Sequence, residues 1–152
     1  MTVERIFTRA PQASSQTEHE KVNIVADSGI VGDRYFGCQD EPGQNVTFVE
    51  AEEIESFANE YERQVDLSAT SRNVVTRGVR LNELVGQEFL VGSLRFRGVE
   101  LCEPCLGLGE ALSTAELAPP AVVKRWLRKG GLRALALSSG ELSVGAKFAN
   151  AA

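Results

Sequence analysis

A chain of 152 residues suits one domain built round one core. Hydrophobic residues make up 43% and charged residues 24%, ordinary values for a soluble globular protein. The formal net charge of -5 excludes the basic footprint that non-specific nucleic-acid binding needs, though not a local basic pocket for a small anion.

Val3 to Thr8 reads as a short strand, and the polar run at 11 to 20 as a loop. Alternation over Val22, Ile24 and Ala26 predicts a second strand. The glycine-rich, charged stretch DSGIVGDRYFG (27 to 37) reads as a structured loop, and Asn45 to Val49 as a strand. From Glu50, the residues Ala51, Ile54, Phe57, Ala58 and Tyr61 recur at helical spacing and form one apolar stripe. Glu50, Glu52 and Glu53 fall in the first turn, where the helix dipole favours negative charge.

Residues 66 to 80 mix polar and apolar types, and Leu81 to Val85 suggests one helical turn. Gln87 to Leu101 reads as two strands broken at Gly92 and Gly98. A second helix is expected over Pro120 to Lys129, with Val122, Val123, Trp126 and Leu127 as its apolar face. Its cations Lys124, Arg125, Arg128 and Lys129 read as a solvated face. Leu132 to Leu137 and Glu141 to Phe148 flank Ser138, Ser139 and Gly140 as a hairpin would. This adds up to seven or eight short strands with two helices, mainly β with minor α. Strands that do not alternate regularly with helices favour a closed or nearly closed β-barrel over a doubly wound sheet.

The chain contains no apolar run of membrane-spanning length and no secretory pattern at its start, so no membrane role is expected. Three cysteines do not make a disulfide framework, and they point to a reducing cytoplasm. Cys102 and Cys105 lie in LCEPC, directly after a predicted strand. Such a pair can be half of a zinc site, a redox dithiol, one working thiolate with a bystander, or two buried inert thiols. Cys38 reads as a half-buried bystander, and His19, the single histidine, as an exposed loop residue. Arg34 (GDRYFG), Arg72 with Asn73 (SRNVV) and Arg133 (GGLRA) each stand in glycine-bordered or turn-like stretches. Arginine's donor fork matches phosphate, and glycine lets backbone N–H groups approach an anion, so a composite anion pocket is expected.

Four segments, in order, carry a resemblance: GIVGDRYFG (29 to 37), SRNVVTRGVRLNELVGQEFLVG (71 to 92), LCEPC (101 to 105) and GGLRALALSSGELSVG (130 to 145). They resemble the glycine-aspartate opening, the central arginine-asparagine segment, the cysteine motif and the closing hairpin of MOSC domains. The likeness covers about residues 29 to 148 and implies a single domain over 1 to 152 with a β-barrel fold similar to the pyruvate kinase barrel. It implies molybdenum cofactor (molybdopterin) binding or sulfur carriage, with Cys105 as molybdenum ligand or sulfur carrier and Cys102 at a more variable position. It also implies cofactor contacts at Arg34, Arg72, Asn73 and Arg133, with backbone donors around Gly131.

The resemblance further suggests a sulfur donor or an electron-transfer protein as partner. No haem, flavin or iron–sulfur signature stands in the sequence. A molybdenum-dependent reductase subunit acting on N-hydroxylated compounds is the alternative, and a redox or zinc-stapled structural barrel a third. Gly145-Ala146 stands where the family usually has Gly-Asp. Neither the pyridoxal phosphate-associated aminotransferase-like domain of the sulfurases nor the reductases' N-terminal barrel is expected in this chain.

Overall fold

A computed structural model describes residues 1–38, 45–104 and 106–151. The strands are β1 (Thr2–Thr8), β2 (Thr17–His19), β3 (Lys21–Val25), β4 (Gly29–Ile30), β5 (Val46–Glu50), β6 (Val74–Arg77), β7 (Glu88–Val91), β8 (Leu94–Leu101), β9 (Leu132–Ala136), β10 (Gly140–Ser143) and β11 (Phe148–Asn150). The helices are α1 (Ala51–Glu60), α2 (Leu106–Leu112) and α3 (Pro119–Arg125), with a 3-10 turn at Leu81–Leu84.

Eight strands form one sheet in the order β11-β7-β8-β9-β5-β6-β1-β2. The start of β1 then meets the chain ahead of β11: Thr2 bridges Lys147, Val3 N donates to the Ala146 carbonyl and Phe148 N to the Met1 carbonyl. Seven strands therefore curl into a ring, and β2 lies beside the far end of β1. Curling removes exposed sheet edges and encloses a core. The barrel expected from the sequence is present. The small sheet β10-β3-β4 adds Val22, Ile24, Ile30 and Leu142 to the same core.

Alternation assigns each strand two jobs. Ile6, Phe48 and Val74 point into the barrel, where Phe48 meets the rings of Phe89, Phe96 and Phe148 at centroid distances of 5.9, 5.5 and 6.1 Å. Their neighbours Phe7, Val49 and Val75 belong to a second cluster with Ala51, Ile54 and Phe57 of α1, Leu108 and Leu112 of α2, and Val122 and Trp126. The helices thus cover the outside of the wall formed by β1, β5 and β6. β5 and β6 run parallel, with α1 in the crossover between them.

Several expectations are corrected. The polar run at 11 to 20 contains β2, because Thr17–His19 pairs with Ile6–Thr8. Gly98 does not end β8; the strand continues through a register shift between Gly98 and Glu100. Helix α3 is shorter than the apolar pattern suggested, and Leu127 is 51% exposed. The closing hairpin does not form. Both edges of β9 are taken, by β8 and β5, so β10 pairs with β3 instead. The serines in between bond elsewhere: Ser138 Oγ accepts from Arg95 N of β8, and Ser139 Oγ from Ala26 N just after β3.

Gly131 stands where β9 leaves β5. It has φ +105°, and a Cβ added there would run into the Phe48 carbonyl oxygen. Gly131→Ala combines a disfavoured backbone with a clash against backbone, and should cost roughly 3 kcal/mol or more. Urea denaturation checks this; an unchanged midpoint would contradict the account.

Candidate functional site

Register brings the site together on the barrel's outer face. Thr47 of β5 is opposite Arg133 of β9, and Phe48 is level with Val74 of β6, which puts Asn73 beside Thr47. Thr47 and Arg133 alternate with the core-facing Val46, Phe48, Leu132 and Ala134, so they face outward. The loop after β4 and helix α2 stand over this face. Between them lies a cavity of about 730 Å³, within the range of small-molecule sites. Its walls include Thr8 and Arg9, Asp33 to Tyr35, Cys38, Asn45, Thr47, Ala69 to Asn73, Glu103, Gly107, Leu108, Ala111 and Arg133.

Asn73 is the junction of these walls. Its Oδ1 accepts from Thr47 N and Thr47 Oγ1, both at 3.1 Å. Its Nδ2 donates to the Phe7 carbonyl at 3.2 Å and to Asp33 Oδ1 at 3.4 Å. Those four bonds use the full capacity of an amide. Asn73 therefore lines the cavity as a tie between β1, β5, β6 and the loop after β4, with its side chain already spent. Asp33 is buried too, and holds the loop by accepting from Arg9 N, Asn73 Nδ2 and Tyr35 N.

Four arginines line the cavity, Arg9, Arg34, Arg72 and Arg133, against two acids, Asp33 and Glu103. The surplus is positive in a chain whose net charge is -5. Arg72 Nε donates to the Gly130 carbonyl at 3.0 Å, which aims the guanidinium along the wall. Arg133 pairs with Glu100 at 3.4 Å. Arg34 is exposed and stacks on the Tyr35 ring with its Cζ 4.8 Å from the centroid. The three arginines expected from the sequence are thus gathered at one cavity. Gly131 is not among its walls: it receives Cys102 N at its carbonyl and allows β9 to cross Phe48.

Cys102 is 1% exposed. Burial pushes its thiol above the ordinary value, while the charges of Arg72 and Arg133 and a hydrogen bond from Arg133 oppose that shift without overcoming it. It is a protonated, buried thiol at neutral pH, a poor nucleophile. Cys105 lies outside the described residues; Glu103 and Gly107, two positions to either side in sequence, both line the cavity. Cys38 is half-buried as expected, and it too lines the cavity. His19 is not a loop residue. It sits on β2, partly buried, with Nε2 2.7 Å from Thr8 Oγ1. Among the described residues, no group of three or more His, Cys, Asp or Glu side chains is gathered to hold a metal ion.

Sequence reasoning missed Arg9, Thr47, Asp33 and the pair Thr70 and Ser71. Asp33 stands inside GIVGDRYFG, so the motif itself carried the signal. Thr47 could be found only through strand pairing, and Arg9 only through the fold. No helix among the described residues is long and apolar enough to cross a membrane.

A protein-family profile described as MOSC domain matches residues 34–149. Among curated proteins none matches the chain. Solved structures share the fold. The YUAD protein of Bacillus subtilis superposes with a TM-score of 0.82 at 16% identity, covering 97% of this chain and 93% of that one. YiiM from Geobacillus stearothermophilus gives 0.74 at 15% identity, over 99% and 75%. YiiM from Escherichia coli gives 0.72 at 17% identity, over 100% and 70%.

Replacing Asn73 with alanine leaves Thr47 N, the Phe7 carbonyl and Asp33 short of partners in a buried place. The expected cost is about 2 to 4 kcal/mol in urea unfolding. A loss below about 0.5 kcal/mol, the scale of an ordinary surface substitution, would show that the junction does not hold the walls.

Proposed function

The chain belongs to the MOSC domain family, and on that premise we propose that it binds molybdenum cofactor in the arginine-lined cavity or carries sulfur on Cys105. The observation that supports the reading is convergence. Arg34, Arg72 and Arg133 come from three distant segments and line one cavity of small-molecule size.

The donor set fits an anionic, phosphate-bearing ligand. Arginine offers planar paired N–H donors, and a positive surplus attracts phosphate. Arg72 and Arg133 would hold the phosphate, with Arg34 closing on it from the mouth. Among the described residues no carboxylate or histidine cluster competes for a metal, which suits a ligand that brings its own metal and asks for one thiolate. Bound there, the cofactor supplies a molybdenum centre able to accept a sulfur ligand.

The chain's own part is to bind, orient and tune. Asn73 and Asp33 fix the spacing of the walls, so the arginines need little reordering when an anion enters. Arginine charges raise the thiolate fraction of a thiol that stays in reach of solvent. At Cys102 burial outweighs them, and the resemblance of LCEPC to the family's cysteine motif points to Cys105 for the working role. Sulfur carriage needs the same thiolate: it takes a sulfane sulfur from a donor as a persulfide, and the donor leaves one sulfur shorter.

Cys105→Ala should lose bound molybdenum, or the persulfide mass increment, while the melting temperature stays close to that of the parent protein. Cys102→Ala should keep the ligand. Metal analysis and intact-protein mass spectrometry of both variants decide the matter; full ligand retention in Cys105→Ala would refute the assignment.

A further inference from the structure

The cavity has a corner that the Arg72 and Arg133 wall does not account for. Arg9 follows β1, and Thr70 and Ser71 precede Arg72; all three line the cavity. Arg9 makes no ion pair among the described residues. Its Nη2 reaches Ser71 Oγ only at 3.4 Å, and its Nε is buried without a partner among the described residues. Thr70 is 5% exposed, and its Oγ1 is likewise buried without a partner among the described residues. Unmet polar groups in a buried place are costly, and both of these belong to residues that line the same cavity. A guanidinium N–H can only donate, and a hydroxyl donates as readily as it accepts. The occupant that meets both is therefore an acceptor, and beside an arginine it is an anion. Asp33 does not fill that role. Its oxygens already receive Arg9 N, Asn73 Nδ2 and Tyr35 N.

We propose that Arg9, Thr70 and Ser71 form a second oxyanion subsite, separate from the Arg72 and Arg133 wall, taking one phosphate-like or carboxylate group. The two places have different anchors: Arg9 is tied to Ser71, Arg72 to the Gly130 carbonyl and Arg133 to Glu100. This deepens the anion-cavity reading and rests on it. The group is either a second anionic end of one ligand that spans the cavity or a separate small oxyanion bound beside the first ligand.

The test is a titration of the full chain with inorganic phosphate, followed by amide chemical shifts. Two saturable sites are expected. Arg9→Met and Thr70→Val should each weaken one site by roughly tenfold, the worth of one charge-assisted or buried hydrogen bond. Thr70→Ser should restore it, because only the hydroxyl is needed. Arg133→Met should weaken the other site. If Arg9→Met and Thr70→Val bind phosphate like the parent while Arg133→Met does not, the subsite is overturned and the wall reading stands. If only the Arg9 and Thr70 variants lose binding, the subsite stands and the wall reading falls. Should Arg9→Met fail to fold, Arg9→Lys and Thr70→Val carry the test, and parent-like binding in both overturns the proposal. An alkyl-linked bisphosphonate separates the sources. Binding much tighter than phosphate, lost in Arg9→Met and Arg133→Met alike, supports one spanning ligand; affinity equal to phosphate supports two separate anions.

Discussion

The side-chain amide of Asn73 joins two strands and the loop after β4 at the centre of the cavity wall. It receives Thr47 from β5 and gives to Phe7 of β1 and to Asp33 of the loop after β4, while its own backbone leads into β6. Asp33 then anchors Arg9 and Tyr35. Through those links one residue sets the distance between the cationic wall and the loop that faces it. A buried amide with all four positions filled has one geometry, and it is stable only while every partner stays in place. The arrangement resembles a support under a binding site more than a contact within one.

Electrostatics follow from that geometry. The protein is acidic overall, and several of its arginines away from the cavity are neutralised: Arg5 by Glu18 and Asp66, Arg77 by Glu4 and Glu55, Arg95 and Arg97 by Glu88. At the cavity the balance reverses. Arg72 spends its Nε on a neutral carbonyl, which orients the group without cancelling its charge. A positive field alone does not activate a thiol. Cys102 is inside the protein, and desolvation outweighs the arginines. A working thiolate must be one that water and ligand reach.

Much of this was legible in the sequence, for identifiable reasons. Strands with strict alternation, such as Lys21–Val25, and the amphipathic helix after Glu50 declared themselves by period. The short strand Thr17–His19 did not, because its residues are polar and its strand character comes only from pairing with β1. The closing hairpin was misread because local turn chemistry at Ser138 to Gly140 says nothing about which edges of β9 are free. Arg34, Arg72 and Arg133 could be picked out by their glycine-bordered or turn-like settings, and the fold gathers them. Asn73 is legible in the sequence as a candidate ligand contact, while the four internal bonds of its side chain come only from the fold. Arg9 carried no local signal, since it earns its place by standing at the end of β1.

The most direct test of the central claim, that the arginines of this cavity recognise a phosphate, is a comparison of two ligands on two proteins. The dissociation constants of a phosphorylated pterin and its dephosphorylated form would be measured on the parent chain and on Arg72→Met. The account predicts that the substitution weakens the phosphorylated ligand by roughly tenfold or more and leaves the dephosphorylated one nearly unchanged. Equal weakening of both, or of neither, would contradict it.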